Sequence, residues 1–275
     1  MPLVTLPGKI DISYELRGMP KGKPIVLVHG HGSRGSTFND FIPFIEKDFY
    51  VLTFDLRGHG SSGKPVGKSY TESLSFYTIT QFATDLRALV DAIHFPHPFS
   101  LLGHSVGGMI AQAFVLQHPE FVSNLILCST TPYMYSEGRA MILQQVKDGV
   151  FKLTEDFFRS SCRMGLTRAF NKAHPEVVES SVKSRLLVAP DAYIGSMENF
   201  LLHFDTRSRL GEIRAPTLII AGEQDAMLKN TYSQDLHQGI AGSKLVVIPK
   251  QNHGIFHEVP SLLAAEVENF VLKVS

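Results

Sequence analysis

The chain has 275 residues, a length at which α/β folds form one core, in some cases with an inserted cap. Lys plus Arg and Asp plus Glu each number 26, so the formal net charge is zero. No basic block is present that could follow a phosphate backbone. We therefore expect no nucleic-acid partner.

The N-terminal residues lack the basic segment and apolar run of a secretory signal, and residues 1–8 lead directly into strand-like alternation. No apolar stretch approaches the roughly 20 residues that a membrane helix needs. Cys128 and Cys162 are the only cysteines, which favours packed small side chains over a disulfide framework. We expect a cytoplasmic chain without a membrane span; the sequence does not indicate its oligomeric state.

Short β-branched apolar runs recur along the chain, each followed by a turn and then by helical periodicity. Residues 10–17 alternate as an early strand. Six further runs indicate buried strands: 24–28, 50–54, 99–102, 125–128, 217–221 and 245–248. Apolar helical faces are predicted within 79–93, 109–114 and 263–271. The pattern predicts an α/β fold with a mostly parallel, doubly wound sheet and helices on both faces.

The sequence pattern of strands stops between residues 131 and 210, where Met and Phe side chains appear in helix-like segments. No internal repeat or low-complexity tract marks this region as a separate linker-bounded domain. It is interpreted as a helical cap, residues 131–210, inserted into a core formed by residues 1–130 and 211–275.

A Gly-x-Ser-x-Gly pattern surrounds Ser105, between the predicted strand 99–102 and a helical pattern. A sharp turn from strand to helix exposes a serine hydroxyl, and its flanking glycines are needed because a Cβ there would collide with the backbone. The alternative is a loop in which Ser105 only caps the next helix. The preceding strand and the partners described next favour Ser105 as a nucleophile.

A serine nucleophile needs a base to take its proton and an acid to orient that base. Asp225 follows the predicted strand 217–221, and His253 follows the predicted strand 245–248. In this kind of sheet the acid and then the histidine come after the serine, each at the carboxyl end of a later strand. The alternatives are a turn-forming aspartate and a histidine satisfied in its loop. Asp225 and His253 are predicted to complete a triad.

Three other side chains compete for these roles. Glu223 closes the same strand as Asp225 but lies two positions earlier, too close to the strand to reach the imidazole. His257 lies one turn beyond His253 and is expected to cap or solvate the approach to the last helix. His104 adjoins the serine and must point elsewhere.

Negative charge develops on the carbonyl oxygen during attack, so hydrogen-bond donors must be placed where that charge appears. The N–H of Val106, at a helix N-terminus, is one predicted donor. The N–H of His31, in the loop His29-Gly30-His31-Gly32 after the strand 24–28, is the other. The alternative interpretation of this loop is a metal site, but no carboxylate or cysteine stands at ligand spacing nearby. We expect no metal and no cofactor.

Aromatic and Met side chains in and around the cap predict an apolar, adaptable wall above Ser105. The candidates for contacting substrate are Met134, Phe157 and Phe158 from the cap, with Phe38 and Phe256 from the catalytic loops. The alternative is that these side chains only pack the cap onto the sheet.

Together these residues resemble the α/β-hydrolase superfamily from about Ile10 to the end of the chain. Two further segments are similar to that family: residues 55–62, Asp-Leu-Arg-Gly-His-Gly-Ser-Ser, and residues 213–222, which lead to its catalytic acid. Within 55–62, Asp55 and Arg57 are interpreted as structural. Within the superfamily the chain is most similar to the compact branch of esterases and enol-lactonases with a helical cap.

The resemblance implies a serine hydrolase that cleaves a small-molecule ester or lactone through an acyl-enzyme. Related epoxide hydrolases and haloalkane dehalogenases carry aspartate where this chain has Ser105, which argues against an alkyl-enzyme. Carbon–carbon bond hydrolases usually have tryptophan after the histidine, whereas Gly254 follows His253 and the chain has no Trp. That activity, acyl transfer to another acceptor, and a receptor that keeps the triad without turnover stay open as alternatives.

Overall fold

The computed structural model describes residues 1–134, 137–150 and 152–273. Its strands are β1 (Leu3–Leu6), β2 (Ile10–Gly18), β3 (Lys23–Val28), β4 (Phe49–Phe54), β5 (Phe99–His104), β6 (Val122–Cys128), β7 (Thr217–Gly222) and β8 (Lys244–Ile248).

These strands form a single 8-stranded sheet in the order β1-β2-β4-β3-β5-β6-β7-β8. The β1–β2 and β2–β4 pairs are antiparallel, and every later pair is parallel. The carboxyl ends of β3, β5, β7 and β8 therefore meet at one edge, which is where ligands bind in open α/β sheets.

The helices before β6 are α1 (Ile42–Ile45), α2 (Tyr70–Ser75), α3 (Ile79–Ala92) and α4 (Val106–Gln117). Between β6 and β7 lie α5 (Glu137–Lys147), α6 (Glu155–Met164), α7 (Arg168–Ala173), α8 (Pro175–Leu186) and α9 (Pro190–Leu202). The remaining helices are α10 (Asn230–Gly239), α11 (Ile255–Glu258) and α12 (Pro260–Lys273). Among the described residues, no helix is long and apolar enough to span a bilayer.

Apolar side chains cover both faces of the sheet, because successive residues of a strand point to opposite sides. In β3, Val26 and Val28 pack into the core that includes α3 and α4, whereas Ile25 and Leu27 pack into the core that includes α1 and α12. All four of these side chains have 0% exposure. Burial on both faces explains why the parallel strands have continuous apolar sequences.

The predicted fold class is confirmed, and all seven predicted strands are present, with ends that extend by a few residues. β1 was not predicted. It has four residues at the edge of the sheet and buries only one of them, Leu6, so it carries little periodic signal.

In the described residues between β6 and β7 no strand of the sheet interrupts the chain, and α5–α9 replace the strand–helix alternation. We call α5–α9 and their connections the helical segment. α9 packs against α2 and α3, which places the helical segment on the rest of the fold.

Candidate active site

Ser105 lies between β5 and α4 with φ 56° and ψ −119°. An L-residue in this region is strained, at a cost of about 1–3 kcal/mol, so the surrounding structure must enforce it. The Ser105 N–H donates to the carbonyl oxygen of Cys128 at 3.0 Å, and the Thr130 hydroxyl donates to the Ser105 carbonyl oxygen at 2.6 Å. These bonds tie the serine backbone to β6 and the residues that follow it.

The glycines around Ser105 are required by close backbone approach. A Cβ on Gly103 would lie 2.3 Å from the carbonyl oxygen of Gly107, and one on Gly107 would lie 2.0 Å from that of Val28. One on Gly108 would lie 2.5 Å from the Cβ of Thr130. The turn can therefore fold sharply only without these side chains.

Asp225 and His253 form a hydrogen-bonded pair, with Nδ1 of His253 2.8 Å from Oδ2 of Asp225. The other carboxylate oxygen accepts the N–H groups of Met227 and Leu228, both at 2.8 Å. Burial favours a higher pKa for Asp225, but the charge and hydrogen bond of His253, with the two N–H groups, hold that pKa below its usual value. The carboxylate stays ionised and directs Nε2 of His253 away from itself.

Asn252 holds the loops of the acid and the base together, and the sequence offered no sign of this role. Its Oδ1 accepts the N–H of Ala226 at 2.9 Å and that of His253 at 2.8 Å. Its Nδ2 donates to the carbonyl oxygen of Met164, the last residue of α6, at 2.9 Å. With 7% exposure, this side chain fixes three segments at once.

The competing side chains have other partners. Glu223 accepts the N–H of Lys250 at 2.9 Å. The His257 ring pairs with Asp40 at 2.8 Å. The ring of His104 approaches the His253 carbonyl oxygen at 3.1 Å, so it contacts the backbone of His253. Geometry therefore favours Asp225 as the orienting acid.

His31 lies beside Ser105 because Gly30 permits it: a Cβ on Gly30 would lie 3.1 Å from the Cβ of Ser105. The ring of His31 bonds through Nε2 to the carbonyl oxygen of Tyr193 at 2.9 Å, which fixes the loop against α9. Burial, opposed by that hydrogen bond, lowers the pKa of His31 to about 3. Among the described residues, neither the His31 nor the Val106 N–H donates to a backbone acceptor. No described backbone acceptor therefore competes with a ligand for these two N–H groups.

The imidazole of His29 fixes the start of this loop. Its Nδ1 is 2.8 Å from the carbonyl oxygen of Gly30, and its Nε2 accepts the N–H of Leu56 at 3.0 Å. Both ring nitrogens are thus occupied by the backbone. Within residues 1–134, 137–150 and 152–273, no group of three or more His, Cys, Asp or Glu side chains is placed to hold a metal ion.

A cavity of about 710 Å³ opens above Ser105. Ser105, Val106 and His253 lie in its wall, together with His31 of the loop after β3. The helical segment supplies much of the opposite wall, including Phe157, Arg185 and Tyr193. Ser105, His253 and the two residues whose N–H groups are the predicted oxyanion donors therefore line one cavity.

Two of the five predicted substrate contacts, Met134 and Phe157, line this cavity. Phe38 and Phe256 do not; they are 0% and 1% exposed, and their rings pack edge to face at 4.9 Å in the core that includes α12. Phe158 is 5% exposed and packs on Tyr193. Successive residues of a helix point about 100° apart, so α6 directs Phe157 to the cavity and Phe158 into the core. Phe38, Phe158 and Phe256 are therefore corrected to packing residues.

Arg185 and Tyr193 are cavity residues that the sequence did not single out. Both belong to the helical segment, and only its folding brings them to the loop after β3, where the rings of Tyr193 and His31 lie 4.1 Å apart.

Asp55 and Arg57, interpreted as structural from the sequence, make contacts within the fold. Asp55 accepts the N–H groups of Gly35 and Ser61. Arg57 forms an ion pair with Asp85 through two hydrogen bonds.

The chain resembles known proteins over most of its length. The chain is 27% identical over 245 residues to a pimeloyl-[acyl-carrier protein] methyl ester esterase of Chromobacterium violaceum, covering 86% of this chain and 89% of that protein. It is 26% identical over 243 residues to 3-oxoadipate enol-lactonase 2 of Acinetobacter baylyi, covering 87% and 85%.

Solved structures show the same fold. The enol-lactonase from Burkholderia xenovorans LB400 superposes with a TM-score of 0.87 at 23% identity, covering 98% of this chain and all of that one. A thermophilic esterase from Thermogutta terrifontis superposes with a TM-score of 0.86 at 25% identity, covering 99% and 98%. The family model of the alpha/beta hydrolase fold matches residues 23–260. This chain therefore belongs to the alpha/beta hydrolase fold family.

Proposed function

We propose that the protein is a serine hydrolase that cleaves a carboxylic ester or lactone through an acyl-enzyme on Ser105. The observation that supports this most directly is the pairing of Asp225 with His253 at 2.8 Å beside a cavity that also contains Ser105. The relatives named above as an esterase and an enol-lactonase support the same class of reaction.

In the proposed first step, Nε2 of His253 takes the proton of the Ser105 hydroxyl while Oγ attacks the substrate carbonyl carbon. The carbonyl oxygen becomes an oxyanion that accepts the N–H groups of His31 and Val106. The tetrahedral intermediate then collapses, and His253 returns the proton to the departing alkoxide. In a lactone the alkoxide stays attached to the acyl group.

In the second step a water molecule loses a proton to His253 and attacks the acyl carbon. Ser105 leaves with the proton that His253 returns, and the carboxylic acid is released. Asp225 keeps the imidazole oriented throughout and stabilises its protonated form. We further propose that the helical segment is a cap, corresponding to residues 131–210, which limits the access of bulk water to the acyl-enzyme.

A fluorophosphonate probe tests the nucleophile: it should label Ser105 and abolish hydrolysis of p-nitrophenyl esters and lactones. Ser105→Ala or His253→Ala should lower kcat by on the order of 10⁴-fold, and Asp225→Asn should lower it comparably, because the three residues of the proposed triad act together. Glu223→Gln is the matched control for the acid and should change kcat little.

Labelling of another residue, or a greater loss in Glu223→Gln than in Asp225→Asn, would overturn these assignments. Product analysis with an added alcohol or thiol tests acyl transfer. Stabilisation by a ligand without any turnover would instead indicate a receptor.

A further inference from the structure

Three guanidinium groups line the cavity, those of Arg34, Arg139 and Arg185. Arg185 extends from α8 to the loop that carries His31: a Cβ on Gly32 would lie 3.2 Å from its Cγ and 3.5 Å from its Nε. The positive charge of Arg185 therefore lies close to the loop of His31, whose N–H is one of the proposed oxyanion donors.

Arg185 has an uncharged partner for its guanidinium. Its Nη1 donates to Sγ of Cys162 at 2.6 Å, and thiol sulfur is a weak acceptor. Burial, partly opposed by Arg185, raises the pKa of Cys162, so this partner supplies no negative charge. Among the described residues, no carboxylate forms an ion pair with Arg185, whereas Arg159 of the same segment pairs with Glu179.

Arg34 also forms no ion pair with a carboxylate in the part of the chain that the structure describes. Its Nε is buried, and among the described residues nothing accepts a hydrogen bond from it. A guanidinium removed from water without an anion is costly, and natural sites supply that anion from the protein or from a ligand.

The acidic side chains in the cavity wall are occupied elsewhere. Asp40 pairs with His257 at 2.8 Å, and Glu176 pairs with His174 at 3.1 Å. The Asp40 and Glu176 side chains are 53% and 68% exposed, so water screens their charge. Among the described residues, neither carboxylate forms an ion pair with Arg34 or Arg185.

We propose that the substrate carries a free carboxylate, separate from the ester or lactone group that is cleaved, and that Arg185 binds it, with Arg34 adding positive charge. This inference rests on the proposed function, since it names the class of ester that Ser105 would attack. The planar guanidinium can donate two parallel hydrogen bonds to a carboxylate, which fixes the direction of the ligand as well as its charge.

The test compares a monomethyl ester of a straight-chain dicarboxylic acid with the dimethyl ester of the same acid. Wild type should cleave the half ester with a kcat/KM about 10- to 100-fold higher, the range expected for hydrogen bonds to a charged group. Acetate esters of ω-hydroxy acids form a second arm, in which the carboxylate lies on the leaving group. Preference in either arm supports the inference and tells which side of the substrate faces Arg185.

Arg185→Met should remove that preference by lowering kcat/KM much more for the charged ester than for the uncharged one, and Arg185→Lys should restore part of the preference. Arg163→Met is the matched control, because Arg163 is an exposed arginine of α6 that does not line the cavity. Thermal denaturation of each variant checks that the helical segment stays folded.

Equal cleavage of charged and uncharged esters by wild type would overturn the inference while leaving Ser105 hydrolysis intact. So would an equal loss for both esters in Arg185→Met. If no ester is cleaved, the proposed function fails. Binding of the half ester then tests the carboxylate site on its own. Calorimetry should then detect the half ester on Ser105→Ala, and adding Arg185→Met should weaken that binding about 10-fold or more; unchanged binding would refute a carboxylate site.

Discussion

At the scale of single residues, the loop after β3 approaches the nucleophile to within van der Waals contact. A Cβ on Gly30 would lie 3.1 Å from the Cβ of Ser105 and 3.3 Å from the carbonyl oxygen of His104, closer than ordinary van der Waals contact. The separation between Ser105 and the N–H of His31, one of the proposed oxyanion donors, therefore depends on the absence of a Cβ at Gly30.

Gly30→Ala should lower kcat by roughly 10- to 100-fold, because the new Cβ, 3.1 Å from the Cβ of Ser105, must displace either the serine or the N–H of His31. Steady-state kinetics with a p-nitrophenyl ester measures this. Gly138→Ala is the control, since a Cβ there meets nothing within 4 Å. Equal kcat values for the two variants would show that the loop tolerates displacement.

Ser105, Asp225 and His253 could be selected from the sequence because each lies at or just beyond the carboxyl end of a recognisable strand; their catalytic roles stay a proposal. Sequence reasoning misassigned Phe38 and Phe256 because proximity along the chain to a catalytic residue does not determine the direction of a side chain. Asn252 adjoins His253, yet its importance depends on the carbonyl oxygen of Met164, which is 88 positions away in the chain.

At the scale of elements, the loop after β8 is attached to the end of α6 by two hydrogen bonds. Besides the bond from Asn252, the N–H of Gly254 donates to the carbonyl oxygen of Gly165 at 2.8 Å. His253 lies between these two attachments. The position of His253 thus depends on the helical segment as well as on the sheet.

Asn252→Ala should lower kcat about 10-fold with a small change in KM, because the imidazole loses its orientation while the cavity keeps its wall. Stability should fall by about 2 kcal/mol through the lost buried hydrogen bonds. Steady-state kinetics, the rate of labelling of Ser105 and urea denaturation measure these effects.

Asn171→Ala is the matched control for this prediction. The Asn171 amide also donates to carbonyl oxygens of the helical segment, those of Arg163 and Leu166, but it reaches neither catalytic loop. It should lose stability without losing kcat. If kcat falls equally in both variants, Asn252 has only a general structural role.

The elements themselves were largely predictable, since buried parallel strands and amphipathic helices have strong periodic patterns. The arrangement of α5–α9 was not, because helical periodicity identifies an apolar face without identifying what that face covers. Arg185 illustrates the difference: it lies near the end of α8 in a polar stretch, and only the packing of α8 brings it to Gly32.

At the scale of the whole molecule, four histidines of the described chain have strongly lowered pKa values: His29 and His59 lie in the core, and His31 and His104 lie in the cavity wall. Burial is the main cause that lowers the pKa of His29 to about 4 and the pKa values of His31, His59 and His104 to about 3. In the unfolded chain each returns to about 6.5. Between about pH 6.5 and 4 the unfolded chain therefore binds protons that the folded protein does not, so acid favours unfolding.

Above about pH 6.5 these histidines should not change the free energy of unfolding with pH. As the pH drops from there toward 4, the free energy of unfolding should fall steadily. Urea denaturation at a series of pH values measures the slope. His59→Gln should reduce that slope by about one proton, while His203→Gln, at an exposed position, should not. An identical slope in His59→Gln and wild type would show that the folded protein accommodates a charged His59.

The contact between the loop after β8 and the end of α6 also limits how this protein can be recombined. Residues 164–167 meet residues 252–258 at three points, the third being the N–H of Thr167, which donates to Glu258 at 2.6 Å. A chimera that takes residues 131–210 from another hydrolase of this fold would bring foreign partners to an unchanged His253. A chimera that receives residues 131–210 and residues 252–258 together should keep its turnover number. A chimera that receives only residues 131–210 should have a lower one.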